Sequence, residues 1–304
     1  MTEKINFEGW PNCIRLFNAE IELIITTDIG PRIVRMGFIS KQNFFYLAPE
    51  HAGKTGGSEW KIYGGHRLWL APEEIDLSYY PDNDPVSYRV EPNSIKVTQS
   101  KEITTGIVKE MEVSLLHGSN RITVLHRLIN QGTGEIEVAP WAISALAGNG
   151  RAIIPQEPFG EGNEYLLPAR SLALWQYTKM NDPRWSWGEK YIQAHQNPAH
   201  NTEQKIGILN KQGWCAYALN GELLIKKFPC IPGALYPDYM CNNEVYINEN
   251  LLEIETLGPL TKLQHGASIE HVEHWLLTKA QPAETDEDID SNILPLINTF
   301  LELT

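Results

Sequence analysis

The chain is poor in cysteine, poor in positive charge and without any long apolar run. Four cysteines (Cys13, Cys215, Cys230 and Cys241) are scattered through 304 residues. With no Cys-x-x-Cys pairing they argue against a disulfide framework or a zinc knuckle, and they fit the reduced, buried thiols of a cytoplasmic protein. Lys and Arg number 25 against 38 Asp and Glu, a net charge of −13. Nucleic-acid backbones and anionic membranes demand clustered cations, so neither is expected as a partner. No apolar stretch approaches the roughly 18 residues that a membrane helix needs. The start, Met1-Thr2-Glu3-Lys4-Ile5-Asn6, lacks the basic-then-apolar pattern of a secretory leader. The Walker loop, the G-x-S-x-G elbow and the dinucleotide fingerprint are missing as well, so no cofactor is expected.

What the chain has is period-two alternation. Ile21–Thr27, Arg32–Phe38, Ser94–Thr98, Lys109–Leu115, Arg121–Leu128 and Gly134–Val138 read as strands, and the pattern returns in Trp214–Ala218, Glu222–Phe228, Glu244–Asn248, Leu251–Thr256 and Ser268–Thr278. Short strands punctuated by Gly, Asn, Pro and Asp indicate an all-β sandwich or barrel. The stretch 156–205, with Pro183, Trp185 and Trp187 close together, reads as long loops. Residues 281–304 change character. Glu284–Asp290 is acidic, and Ile289, Ile293, Leu296, Ile297, Phe300 and Leu301 then recur at helical spacing. A short docked helix is expected there, starting or kinked near Pro295, with the acidic lead-in complementing its N-terminus.

Chemistry concentrates in two places. The first is Gly64-Gly65-His66-Arg67-Leu68-Trp69, followed by Glu73 and Glu74. Two glycines permit a sharp turn; an imidazole, a guanidinium and an indole then supply proton transfer, a donor fork and a flat apolar plate. That mixture suits a polar ring such as a sugar, although a tight turn with half-buried edges would read the same. The second is Tyr236–Tyr246, whose Asp238, Asn243 and Glu244 surround a turn leading into Leu251–Leu260. On a strand, Glu253 and Glu255 share one face and must meet water or a partner; one of them could act as a general base. Arg32, after Asp28-Ile29-Gly30-Pro31, is a second cation able to reach the same face as Arg67. Two arginines in one site would fit an acidic or phosphorylated sugar. Lys226 and Lys227 read as surface ion pairs on opposite faces of a strand, and His126 as a core-strand residue. Trp185 and Trp187 read equally as a lid or as a loop anchor. Glu270-His271-Val272-Glu273-His274 resembles a metal cluster, but strand alternation sends His271 and His274 to opposite faces, and no metal is expected.

The segments Tyr63–Trp69, Ala139-Pro140-Trp141-Ala142-Ile143, Tyr236-Pro237-Asp238 and Glu253–Leu260, in this order, resemble a bacterial branch of the galactose-mutarotase-like (aldose 1-epimerase-like) superfamily over roughly residues 10–280. The resemblance implies a β-supersandwich: large twisted antiparallel sheets with a carbohydrate site on a concave face. It implies Glu255 as the base that takes the anomeric hydroxyl proton. The family's acid is a histidine placed after the strand turn, which here reads Asn130–Gly134, and Trp141 stands at that position. An indole cannot return a proton, so His66 is expected to supply the acid. Arg32, Arg67, Trp69, Trp141, Asp238, Asn243 and Glu244 are expected to bind the substrate. The expected organisation is a carbohydrate-binding β domain over residues 1–280 and an acidic segment with a docked helix over 281–304. The expected activity is a cofactor-free sugar isomerase. A non-catalytic carbohydrate-binding or sensing protein is the alternative, and an accessory role beside a lyase or hydrolase is a third reading.

Overall fold

The computed structural model describes residues 1–157 and 166–303. The alternating segments become strands of two large antiparallel sheets. The eleven-stranded sheet runs Thr2–Phe7, Trp10–Phe17, Ile21–Thr26, Arg32–Phe38, Gly65–Ala71, Ile136–Leu146, Leu252–Leu257, Asn243–Ile247, Gln204–Ile208 and Leu172–Leu174, with Thr261–Leu263 also pairing on Ile136–Leu146. The ten-stranded sheet runs Trp185–Trp187, Tyr191–His195, Arg151–Pro155, Trp214–Leu219, Glu222–Lys227, Ser268–Lys279, Arg121–Asn130, Ile107–Leu115, Ser94–Thr98 and Ser87–Glu91. The facing sides interdigitate in one core that includes Leu23, Ile33, Leu68, Leu70, Met111, Val124, Leu224, Ile254 and Leu277. This is the expected all-β architecture. Among the described residues no helix is long and apolar enough to cross a membrane.

Strands covered on both sides lose the clean alternation of half-buried ones. Gly65–Ala71 is buried at every position, as are Ile21–Thr26 and Leu252–Leu257. Arg151–Pro155, Trp214–Leu219 and Glu222–Lys227 are nearly so, because their outer face carries the C-terminal helices. There Ile153, Trp214, Ala216, Leu223 and Ile225 pack against Ile289, Ile293, Ile297 and Phe300. The expected terminal helix is two short ones, Asp286–Asn292 and Leu294–Glu302. Thr285 caps the first in a reciprocal box with Asp288, and Pro295 sits in the first turn of the second, where a missing N–H costs nothing.

Two sequence expectations change here. The stretch 156–205 is not all loop: Leu172–Leu174, Trp185–Trp187, Tyr191–His195 and Gln204–Ile208 are strands, while 158–165 lies outside the described residues. Trp185–Trp187 is an edge strand, so Pro183 just before it interrupts no ladder. The Gly64-Gly65 turn is the entry to a central strand. Both glycines have positive φ (+84° and +74°), and an added Cβ would lie 2.1 Å from the Tyr46 carbonyl oxygen and 2.3 Å from that of Ile33.

Candidate functional site

Register decides which side chains meet. In the larger sheet Ile143 lies opposite both Arg67 and Glu255, Glu255 lies opposite Glu244, and Glu244 opposite Gly207. These residues form one row across five strands on the face turned away from the smaller sheet. Neighbouring rows on that face hold Trp69 opposite Trp141, and Glu253 opposite Tyr246, which is itself opposite Lys205. Above them lies a cavity of about 360 Å³ whose lining includes Arg67, Trp69, Trp141, Lys205, Glu253 and Glu255. Its walls come from the loops before and after the strand Gly65–Ala71 (Trp60, Ile62, Glu73, Tyr79) and from Trp175, Tyr177 and Glu203.

The floor is a buried ion cluster. Glu255 is 1% exposed. Its Oε2 accepts hydrogen bonds from Trp141 Nε1 at 2.8 Å and Lys205 Nζ at 3.0 Å. Among the described residues its Oε1 accepts none, although Glu255 lines the cavity. Lys205 also lies 2.8 Å from Glu244 Oε2, and its ammonium is sandwiched 4.7 Å from the ring centres of both Trp141 and Trp175. Burial alone would lower the Lys205 pKa, but Glu244 and Glu255 outweigh it and hold it well above the usual amine value. Burial pushes both carboxyls up while Lys205 pulls them down, and the net direction is upward for each. Two carboxyls facing one ammonium titrate as a pair. Glu244 has Asp238 as a further acidic neighbour, which adds to its upward push.

The walls are aromatic. Trp60, Trp69 and Tyr79 meet edge to face at 4.9–5.6 Å between ring centres, and Trp69 packs on Trp141 at 5.4 Å. Arg67 stacks 4.7 Å over Trp69 and donates to Glu253 at 3.0 Å. Tyr79 donates to Glu73, and Tyr246 donates to Glu203 at 2.8 Å.

The expected site residues divide accordingly. Arg67, Trp69, Trp141 and Glu255 line one cavity. Glu244 supports it through Lys205, and Asp238 lies close enough for Lys205 to act on its carboxyl. Arg32 is on the same face but lies under the covering loops, fully buried, donating to Asp82 and to the Gly64 carbonyl. Asn243 is opposite Thr256 on the inner face, where its amide donates to the Glu255 carbonyl at 2.9 Å. His66 is the largest correction. It is opposite Ser144, one residue out of step with Arg67, and one step along a strand reverses the face. It is fully buried between the sheets and does not share a cavity with Glu255. Lys205, Tyr177, Trp175 and Tyr79 were missed by sequence reasoning. Lys205 lies in a five-residue strand interrupted by Gly207, too short to show its period. Trp185 and Trp187 are anchors: Trp185 is buried, Trp187 donates to the Met180 carbonyl, and neither lines the cavity.

His66 belongs to a polar network in the sheet-sheet core, and its hydrogen placement follows from the contacts. His126 Nδ1 lies 3.0 Å from the His271 carbonyl and so donates, leaving Nε2 to accept from His66 Nε2 at 2.7 Å. Ser144 then donates to His66 Nδ1 at 2.8 Å and accepts from Lys226 at 3.0 Å. Lys226, expected at the surface, is fully buried and ion-paired with Glu273 at 2.7 Å, because its strand is covered on both faces. Glu273 also accepts from Thr256 at 2.6 Å and Trp275 at 2.9 Å, and His271 donates to Thr256 at 2.7 Å. His66, His126 and Glu273 present ligand-type atoms within 4.8 Å of one another. Lys226 already balances the single carboxylate there, so a dication would bring uncompensated charge into the core.

Burial lowers all three histidines, His271 to about 3. The unfolded chain, with histidine near 6.5, takes up a proton that the folded chain refuses. His271 therefore removes stability as pH falls from about 6.5 toward 3. In urea melts the stability advantage of wild type over His271→Gln is expected to shrink below pH 6.5, by up to roughly 1.4 kcal/mol per pH unit. A pH-independent difference between pH 7 and 4.5 would contradict this.

No protein-family model and no curated protein sequence matches the chain. Solved structures do. A galactose mutarotase-like protein from Lactobacillus casei ATCC 334 superposes with a TM-score of 0.58 at 9% identity, covering 88% of this chain and 100% of that one. A galactose mutarotase-like protein from Clostridium acetobutylicum gives 0.53 at 12%, covering 92% and 98%. A TPR-domain containing protein from Parabacteroides distasonis ATCC 8503 gives 0.59 at 16%, covering 90% of this chain and 48% of that one, so this chain spans about half of that protein. At such identities the likeness concerns the fold. With its two large antiparallel sheets and terminal helices, the chain has the galactose-mutarotase-like fold.

Proposed function

We propose that the cavity on the larger sheet binds a monosaccharide and that Glu255 acts on it as a general base, making the protein a mutarotase-like sugar isomerase. One observation carries this reading. Glu255 is a buried carboxylate with one oxygen engaged by Trp141 and Lys205 and the other without a hydrogen-bond partner among the described residues, on the floor of an aromatic-walled cavity. Indole and phenol rings stack on the apolar faces of a sugar while the carboxylate accepts a hydroxyl. The galactose mutarotase-like proteins that share this fold agree with a sugar ligand. Lys205, held charged, orients the Glu255 carboxyl and favours its ionised form against the effect of burial. Transfer of the anomeric hydroxyl proton to Glu255 would form the C1 carbonyl as the C1–O5 bond breaks, with the ring oxygen taking its proton from solvent; reclosure on the other carbonyl face, with the ring hydroxyl's proton released to solvent and the Glu255 proton returned to O1, would give the other anomer.

A second reading, binding without turnover, is favoured by a specific feature: among the described residues no histidine lines the cavity, and its lysine is tied to two carboxylates. Exchange-spectroscopy NMR on a panel of aldoses separates the two. Anomer exchange faster than in buffer supports the isomerase. Line broadening or chemical-shift change on binding, with exchange at the buffer rate, supports the binding protein. Neither effect with any sugar would remove both.

A further inference from the structure

We propose, resting on the sugar-binding reading, that the preferred ligand is an aldose carrying a protonated amine, its ammonium seated against Glu73 within the Trp60, Trp69 and Tyr79 rings. The argument begins with charge. The cavity is lined by two cations, Arg67 and Lys205, and by four carboxylates, Glu73, Glu203, Glu253 and Glu255. Both cations are already engaged, Arg67 by Glu253 and Lys205 by Glu244 and Glu255. Glu73 and Glu203 are left over. Each holds only a tyrosine hydroxyl, and among the described residues neither lies within ion-pair distance of a cation. The expectation of an acidic or phosphorylated sugar needed two free arginines, and Arg32 is instead buried against Asp82 beneath the loops. An anionic sugar would meet a surplus of carboxylates; an ammonium would reduce that surplus.

The second part of the argument is the shape around Glu73. Trp60, Trp69 and Tyr79 pack mutually edge to face, and Tyr79 reaches Glu73 with its hydroxyl. Ring faces attract cations, tryptophan most strongly, and more so when water is displaced. Arg67 over Trp69 and Lys205 between Trp141 and Trp175 show the same walls already hosting cations. The third part is Glu255 Oε1, which accepts no hydrogen bond among the described residues and leaves a hydroxyl acceptor on the cavity floor while the amine is held at the wall.

Calorimetric titration of the full chain tests this with four probes: a 2-amino-2-deoxyaldohexose, its N-acetyl derivative, the parent hexose and the hexose 6-phosphate. The amine sugar is expected to bind at least ~10-fold tighter than the N-acetyl and parent sugars, with the phosphate weakest. The preference should fall with added salt and as pH rises through the amine's own pKa. Glu73→Gln preserves an acceptor for Tyr79 and, at an exposed position, leaves the fold intact; it should bring the amine-to-parent affinity ratio close to one. Equal binding of amine and parent sugars, a tighter phosphate, or an unchanged ratio in Glu73→Gln would overturn the proposal while leaving sugar binding standing. Binding of none of the four would overturn the sugar-binding reading itself.

Discussion

Glu255→Gln is expected to reduce catalysed anomer exchange by roughly 10²–10⁴-fold, the usual contribution of a positioned base. The amide keeps the shape of the side chain but cannot take a proton. The variant should still fold. Lys205 retains Glu244 at 2.8 Å, so the ammonium is not stranded, and Glu244 loses the neighbouring negative charge that raises it. Exchange NMR at saturating sugar, alongside a thermal melt, reads both quantities. Wild-type exchange in a folded Glu255→Gln would eliminate Glu255 as the base. The wild-type rate should also rise with pH through the raised titration of the Glu244–Glu255 pair, since the base must be ionised to act.

The second large effect concerns stability. Glu273→Leu should destabilise the protein by about 3–5 kcal/mol, because it strands the Lys226 ammonium in a core from which water is excluded. Neither side chain is exposed at all. Adding Lys226→Met should recover most of that loss, since replacing both members of a buried pair by apolar groups is often neutral. Recovery will be incomplete, as Thr256 and Trp275 lose their acceptor in both variants. Urea midpoints of wild type, single and double variants decide this. A single variant within about 1 kcal/mol of wild type, or a double variant no better than the single, would show that the pair is not what balances this core.

Much of the architecture was legible along the chain. Alternation in Arg121–Asn130 and Ser268–Lys279 survives because only one of their faces is buried, and each shows the pattern of one covered and one half-exposed side. The apolar spacing from Ile289 to Phe300 marked the terminal helices, although their break before Pro295 made two of one. Gly65–Ala71 and Gln204–Ile208 were harder to read because burial on both faces erases the period. The site was legible in part for the same reason. Glu253 and Glu255 share a face by simple parity, and parity likewise separates Arg67 from His66, but parity does not say which face looks at the cavity.

The sequence by itself determined that this is a strand-built, acidic chain with a helical tail, and offered Arg32, His66, Arg67, Trp69, Trp141, Asp238, Asn243, Glu244 and Glu255 as its chemistry-bearing candidates. Those properties follow from composition and from periodicities local to a few residues. The tertiary structure decided that Lys205, from a distant strand, sits on Glu255, that Arg32 and His66 are withdrawn from the cavity, and that Lys226 is buried against Glu273. Such meetings depend on which strand pairs with which, and in what register, across separations of up to 186 residues between Arg67 and Glu253. No local pattern records that choice; the packing of two sheets makes it.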